Sequence, residues 1–194
     1  MAINFSPLHK RYTLEEFWSL PDPGNRVRYN LIGGHLYLVL PPEPVHGDLV
    51  WQMSKVLCSF LHRNNIAGMV NFPPEAICHS ESSTYLEPDL MYLSEELRNR
   101  MGHIRTSADI VIECLTETMV VYDRTTKADT YLALGVGELW LVDPVTLTIE
   151  VRHSKDVRNT RVWEIFQYSK GEHAKSRVLE GWEVFVDEIF QDVE

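Results

Sequence analysis

Residues 87–127 read EPDLMYLSEELRNRMGHIRTSADIVIECLTETMVVYDRTTK. Two apolar, strand-like runs in this stretch carry one carboxylate each: Asp89 heads PDLMYL, and Glu113 stands near the end of DIVIECL. The second run is apolar at nearly every position, the pattern of a strand covered on both faces. A carboxylate that interrupts such a run is either paired or functional, because an isolated buried charge is too costly to keep. Lys127 follows on a segment of helical period. Asp89 and Glu113 are 24 residues apart, and Lys127 is 14 residues beyond Glu113. Two acids on adjacent strands that converge on one lysine make a candidate site for divalent-metal phosphodiester chemistry.

Downstream of this stretch, Asp123 is a favourable N-cap for a helix over about 124–134, and Gly135 suits the left-handed position that closes it. ELWLVD (138–143) reads as another buried strand, so residues 109–142 predict a strand–helix–strand crossover, parallel and right-handed. LTIEVR, RVWEIFQY and SRVLEGWEVF complete the chain as antiparallel strands before a short acidic tail.

Upstream, Thr13 and Glu16 form a capping box at the head of a short helix. RVRYNLI and HLYLVL flank Gly33-Gly34 and predict a β-hairpin with a tight turn. Leu49, Met53, Val56, Leu57, Phe60 and Leu61 recur at helical spacing over 46–63, which predicts an amphipathic helix against a sheet. GMVNFPPEAICH reads as a strand interrupted at Pro73-Pro74, at an edge or a bulge. Ser94 caps a short helix through Arg100. The expected fold is α/β, a mixed sheet flanked by helices, with an N-terminal β-hairpin and C-terminal antiparallel strands, in one domain over residues 1–194.

Composition narrows the functional classes. A chain of 194 residues supports one well-cored domain. Apolar residues make up 44% and charged residues 24%, ordinary for a globular protein. No apolar run approaches the ~20 residues of a membrane span, and residues 1–13 lack the apolar core of a signal peptide, so the expected location is cytoplasmic with no membrane partner. Cys58, Cys78 and Cys114 form no CxxC pair and read as reduced, and the eight histidines lack zinc-ligand spacing. The net charge of −10 argues against strong non-specific nucleic-acid binding. Residues 151–178 depart from it, with seven basic side chains against three acidic ones. They read as a solvated hairpin or as a functional patch.

The chemistry follows from the residue types. Two adjacent carboxylates repel unless a cation neutralises them. Mg²⁺ (or Mn²⁺) favours one or two carboxylates with waters and phosphate oxygens, and it activates water. A nearby lysine orients the water and adds electrostatic stabilisation. Each residue also has a structural reading: Asp89 as a turn residue, Glu113 in a salt bridge to Lys127 or an arginine, and Lys127 as a solvated helix residue.

The order of elements, hairpin, helix, PD strand, E strand, helix with Lys and Tyr, then GVGELWLVDP, resembles the Uma family. These are nuclease domains of the PD-(D/E)XK restriction-endonuclease-like superfamily, of a type frequent in cyanobacteria. The resemblance runs from about Tyr12 to Arg152 and is densest in DRTTKADTYLALGVGELWLVDP, residues 123–144. In the common nuclease pattern the lysine stands two residues after the glutamate, where this chain has Leu115. The resemblance implies that the lysine has moved to the following helix as Lys127, with Tyr131 one turn on, and that the backbone carbonyl of Cys114 is a further metal ligand. It also implies supporting roles for His46 and for the position of Asn30. The family's YELIDGEL appears here as YNLIGGHL, so Asn30, Gly33 and His35 occupy its three acidic places. Its EVLSPST appears as ECLTETM. His46 reads equally as a phosphate or water contact and as a helix N-terminal residue.

The expected function is a Mg²⁺-dependent endonuclease acting on DNA as a homodimer: Asp89 and Glu113 bind metal, Lys127 activates water, and Tyr131 and His46 support the site. The alternatives are a nuclease fold that has lost catalysis and serves as a binding or assembly module, and a purely structural ion-pair cluster.

Overall fold

The computed structural model of the chain describes residues 10–191. Helix α1 (Leu14–Trp18) opens on the capping box, in which the Glu16 N–H donates to Thr13 Oγ1 at 3.2 Å and the Thr13 N–H to Glu16 Oε2 at 3.0 Å. Strands β1 (Arg28–Ile32) and β2 (His35–Val39) form the hairpin. Gly33 and Gly34 turn it at φ +57° and +81°, the paired left-handed geometry of a two-residue turn that matches strand twist. Then come α2 (Pro44–Arg63), β3 (Gly68–Asn71), β4 (Ile77–His79), β5 (Thr84–Leu86), β6 (Leu90–Ser94), α3 (Glu95–Met101) and β7 (Ile110–Cys114). The crossover contains α4 (Val120–Tyr122), a π-helical turn (Asp123–Lys127) and α5 (Ala128–Ala133). The remainder is β8 (Glu138–Asp143), β9 (Thr148–Val157), β10 (Thr160–Tyr168), β11 (His173–Lys175), β12 (Glu183–Phe185) and α6 (Val186–Phe190).

A six-stranded mixed sheet, in the order β10-β9-β8-β7-β6-β3, is the frame. The pair β7–β8 is parallel and the other pairs in this sheet are antiparallel. A second sheet has the order β2-β1-β5-β4, and β11–β12 is a two-stranded ribbon.

Side-chain alternation divides the main sheet into two buried faces. On one, Leu90, Ile112, Trp140, Val142 and Val151 pack with Leu49, Met53 and Leu57 of α2 and Ile189 of α6. On the other, Met91, Leu93, Val111, Leu139 and Leu141 pack with Ala128 and Tyr131 of α5. The β6–β7 register pairs Leu90 with Ile112 and Met91 with Val111. One step further along it, Asp89 stands opposite Glu113, so both acids share the face covered by α5.

Three local expectations change. The crossover helix starts at Val120, before Asp123, whose N–H is already bonded to the Met119 carbonyl at 2.9 Å. Asp123 is therefore inside the helical segment and caps nothing. GMVNFPPEAICH divides around Pro73-Pro74 into β3, an edge strand of the main sheet, and β4, an edge strand of the second. Neither proline has an N–H for a ladder, which is why pairing stops there.

In SRVLEGWEVF only Glu183–Phe185 is strand. The preceding loop is held by Glu138, fully buried, whose carboxylate accepts from Ser176 Oγ, the backbone N–H groups of Arg177 and Val178, Trp140 Nε1 and His153 Nδ1. Those contacts replace a strand ladder and draw the carboxyl of Glu138 below its ordinary range despite the opposing effect of burial. The acidic tail falls partly in α6, and residues 192–194 lie outside the described residues. Among the described residues, no helix is long and apolar enough to cross a membrane.

The crossover is closed by GVG. Gly135 takes φ +86°, as expected for a helix end. Gly137 meets β7 so closely that a Cβ there would lie 2.8 Å from the Asp109 carbonyl oxygen. Gly137→Ala is therefore expected to destabilise the fold by about 1–3 kcal/mol, the usual cost of overpacking, measured as a lowered urea midpoint at unchanged slope.

Candidate active site

The site lies at one end of the main sheet, where β6 begins and β7 ends. A cavity of about 30 Å³ opens there, lined by Asn30, His46, Asp89, Glu113, Cys114 and Lys127 with Arg28, Glu87, Thr116 and Asp123 among the other residues. Its size suits a water molecule or a bare ion.

Asp89 is gripped through Oδ2, which accepts the Cys114 N–H at 2.9 Å and His46 Nε2 at 2.9 Å. The first bond ties Asp89 to the end of β7; the second comes from the first turn of α2. Glu113 is gripped through Oε1, which accepts Lys127 Nζ at 2.8 Å and the Tyr131 hydroxyl at 2.5 Å. Lys127 ends the π turn and Tyr131 lies one α-turn later, so both reach one oxygen from the same helix face. Lys127 Nζ is also 3.6 Å from Asp123 Oδ1. Among the described residues, no protein hydrogen bond reaches Asp89 Oδ1 or Glu113 Oε2. Each carboxylate is thus fixed by one oxygen and keeps the other for a ligand.

Charge sets the behaviour of the cluster. Asp89, Glu113 and Asp123 are all buried, and one buried ammonium, Lys127, serves all three. Burial opposes the Lys127 charge, but the Glu113, Asp123 and Asp89 carboxylates outweigh it and hold the amine firmly protonated. The acids compete for that one cation. Burial, reinforced by Asp89 and Asp123, outweighs Lys127 at Glu113 and pushes its carboxyl up to about 7. Burial likewise raises Asp123. At Asp89 burial is overcome by the His46 hydrogen bond and charge, then by Lys127 and the Cys114 N–H, so this carboxyl falls below its ordinary range. The imidazole of His46 rises, because its hydrogen bond to Asp89 and that residue's charge outweigh burial. Burial keeps the Tyr131 hydroxyl protonated, with Glu113 adding to the effect, so Tyr131 is the donor in its bond to Glu113.

The donor set fits a hard divalent cation: two carboxylate oxygens without protein partners, beside Cys114, in a cavity with excess negative charge. The fit rests on two carboxylates and not on a larger cluster. Among the described residues, no group of three or more His, Cys, Asp and Glu side chains is gathered to hold a metal.

The structure therefore brings together Asp89, Glu113, Lys127, Tyr131, His46 and Cys114. Asn30 is buried in the cavity lining, where its Nδ2 donates to the Tyr122 hydroxyl at 3.1 Å. Gly33 and His35, the other two departures from the family pattern, belong to the hairpin around the turn and are absent from the cavity lining.

The sequence reading missed two features. Asp123 is a third buried acid, and its spacing of four from Lys127 is the signal that reveals it. The second is a clamp on the π turn. Arg124 Nη1 donates to Glu150 Oε2 at 2.5 Å and Nη2 to Asp143 Oδ2 at 2.9 Å, while Arg152 joins Glu150 at 2.6 Å and the Arg124 carbonyl at 2.9 Å. This network fixes the turn that carries Lys127 to β8 and β9. π-helical turns concentrate at functional sites.

Five of the seven basic side chains in 151–178 form ion pairs. Lys155 and Arg177 pair with Glu164, Arg161 with Asp156, Lys175 with Glu183, and Arg152 with Glu150. This favours the solvated hairpin over a functional patch.

A family model described as "Uma2: Putative restriction endonuclease" matches residues 14–188. Among solved structures, a crystal structure described as that of a "putative nuclease belonging to DUF820" from Anabaena variabilis ATCC 29413 superposes with a TM-score of 0.70 at 19% sequence identity, covering 92% of this chain and 97% of that one. That likeness establishes a shared nuclease-like fold. No curated protein matches the chain.

Glu113 has a defined pH signature. Its carboxyl titrates near 7 in the folded protein against 4.5 without the fold. Below pH 4.5 both states are protonated and the full stability is present; as pH rises through that window the unfolded chain ionises first and stability is lost. Glu113→Gln lacks this loss. In EDTA, its stability relative to wild type is expected to rise by about 3 kcal/mol between the acid and alkaline ends of the window, read by urea unfolding. A loss of about 3–5 kcal/mol at the alkaline end would instead identify a structural ion pair.

Proposed function

This chain belongs to the Uma2 family, and from that membership together with the chemistry of the cavity we propose that it is a divalent-metal-dependent endonuclease hydrolysing DNA phosphodiester bonds. One observation carries the reading. Two buried acids, each held through one oxygen with the other oxygen unpartnered, flank a cavity whose lining holds four carboxylates against two permanent cations.

In this reading Asp89, Glu113 and the Cys114 carbonyl hold Mg²⁺ or Mn²⁺. The bound cation supplies charge neutralisation at the phosphate and a lowered pKa for water. His46 keeps Asp89 ionised and oriented. Tyr131 fixes the Glu113 oxygen that is turned away from the ligand. Lys127, permanently charged, orients the attacking water and stabilises negative charge as it builds on the phosphoryl oxygens. The clamp from Arg124 and Arg152 holds the turn bearing Lys127 in register with Glu113. Asn30 presents a neutral amide where the family pattern has an acid, so no third strand-borne carboxylate enters the ligand set. We further propose that the chain acts as one nuclease-like domain, in the cytoplasm and as a homodimer, since duplex cleavage acts on two strands.

Supercoiled plasmid incubated with the protein tests this. Nicking is expected with Mg²⁺ or Mn²⁺ and none in EDTA. Asp89→Asn should abolish it, and Lys127→Gln should slow it by about 10²–10³-fold. Duplex binding without cleavage under any divalent ion would assign the chain to the inactive binding-module alternative.

A further inference from the structure

We infer that Arg28 is the residue that receives the DNA backbone phosphate at the mouth of the cavity. This rests on the nuclease reading and extends it to substrate contact.

An acidic site that acts on a polyanion must overcome its own repulsion. The lining carries Glu87, Asp89, Glu113 and Asp123, and its permanent cations are Lys127 and Arg28. The side chain of Lys127 is 6% exposed and its amine already serves Glu113 and Asp123. Arg28 is more accessible, with a side chain 35% exposed. Its Nη1 donates to Glu87 Oε2 at 2.8 Å. The guanidinium has five N–H donors in a planar fork that matches phosphate oxygens two at a time, so most of its capacity is free.

The support beneath Arg28 is built to aim it. Glu87 is two residues before Asp89, and its second oxygen accepts the Tyr85 hydroxyl at 3.2 Å. Burial, with Glu87 adding to it, lifts the Tyr85 hydroxyl up to about 12, so it stays a donor. Arg28 lies on β1, which is paired on both sides, with β2 and β5. A guanidinium on a doubly paired strand, clamped by a carboxylate that is clamped in turn, is a preorganised phosphate contact. The contact, with side chains 35% and 14% exposed, holds the guanidinium in place without burying it. On the other basic surface, the β9–β10 hairpin, Arg152, Lys155 and Arg161 are paired with the hairpin's own acids.

The test is binding of a short fluorescein-labelled DNA duplex to the full-length protein in Ca²⁺, across a range of salt, alongside plasmid cleavage in Mg²⁺. Arg28→Gln is expected to weaken binding about tenfold or more and to lower the slope of log K against log salt by about 1, the value of one phosphate contact. Arg28→Lys should restore the slope with only part of the affinity, which also controls for folding. Glu87→Gln should weaken binding less and leave the slope unchanged, the mark of a positioning residue. Lys155→Gln on the hairpin should match wild type. If wild type binds and cleaves while Arg28→Gln matches it in affinity and slope, the Arg28 assignment is overturned and the nuclease reading stands. If the wild type neither binds nor cleaves duplex DNA, both are overturned.

Discussion

Three buried carboxylates share one buried ammonium, and much of the surrounding structure serves that imbalance. A buried ion pair can break even against its desolvation; a buried cluster with surplus charge of one sign cannot do so without help. The fold supplies partial help in two forms. The imidazole of His46 stabilises the charge on Asp89, and the Tyr131 hydroxyl and Lys127 converge on one oxygen of Glu113. These contacts distribute the negative charge without cancelling it, which is why Glu113 titrates near neutrality while Asp89 stays ionised. A divalent cation is the proposed remedy, and it would bind best with both acids deprotonated.

The architecture around the cluster consists largely of positioning. Antiparallel pairing of β6 with β7 brings Asp89 to Glu113, and the parallel pairing of β7 with β8 requires the crossover that carries Lys127 and Tyr131. The crossover depends on contacts far along the sequence. Glu150 and Asp143 hold Arg124, Arg152 caps its carbonyl, and the Trp163 indole donates to the Ala128 carbonyl at 3.1 Å. The β9–β10 hairpin therefore braces the helix from behind. Its sequence looks like a basic surface element, and its energetic role is to keep one turn of π-helix in place.

Strands and helices with strong periodicity were legible in the sequence: the hairpin at Gly33-Gly34, α2, the three central strands and the Thr13–Glu16 capping box follow from local rules that packing does not override. Asp89, Glu113 and Lys127 were legible as a group because acids inside apolar runs demand a partner. The π turn was not, since its sequence DRTTK has no apolar residue from which a period could be read. Asp123 has the residue type of a cap, and only the earlier start of the helix at Val120 shows that no cap is needed there. Arg28 and Glu87 were invisible because they lie 59 residues apart, and the pairing of β1 with β5 that brings them together is set by tertiary packing. The loop around Glu138 looked like a strand because its alternation is real, while the five donors satisfied by that one carboxylate cannot be read from spacing.

A divalent cation between Asp89 and Glu113 is the proposed reason for the buried acid surplus. Anomalous diffraction from crystals of the full chain grown with Mn²⁺ tests it directly. One strong peak is expected within bonding distance of a carboxylate oxygen of each acid, at the Cys114 end of β7, with Lys127 still bonded to the other oxygen of Glu113. Crystals that take up Mn²⁺ elsewhere, or nowhere, with Asp89 and Glu113 unchanged around Lys127 and His46, would contradict it.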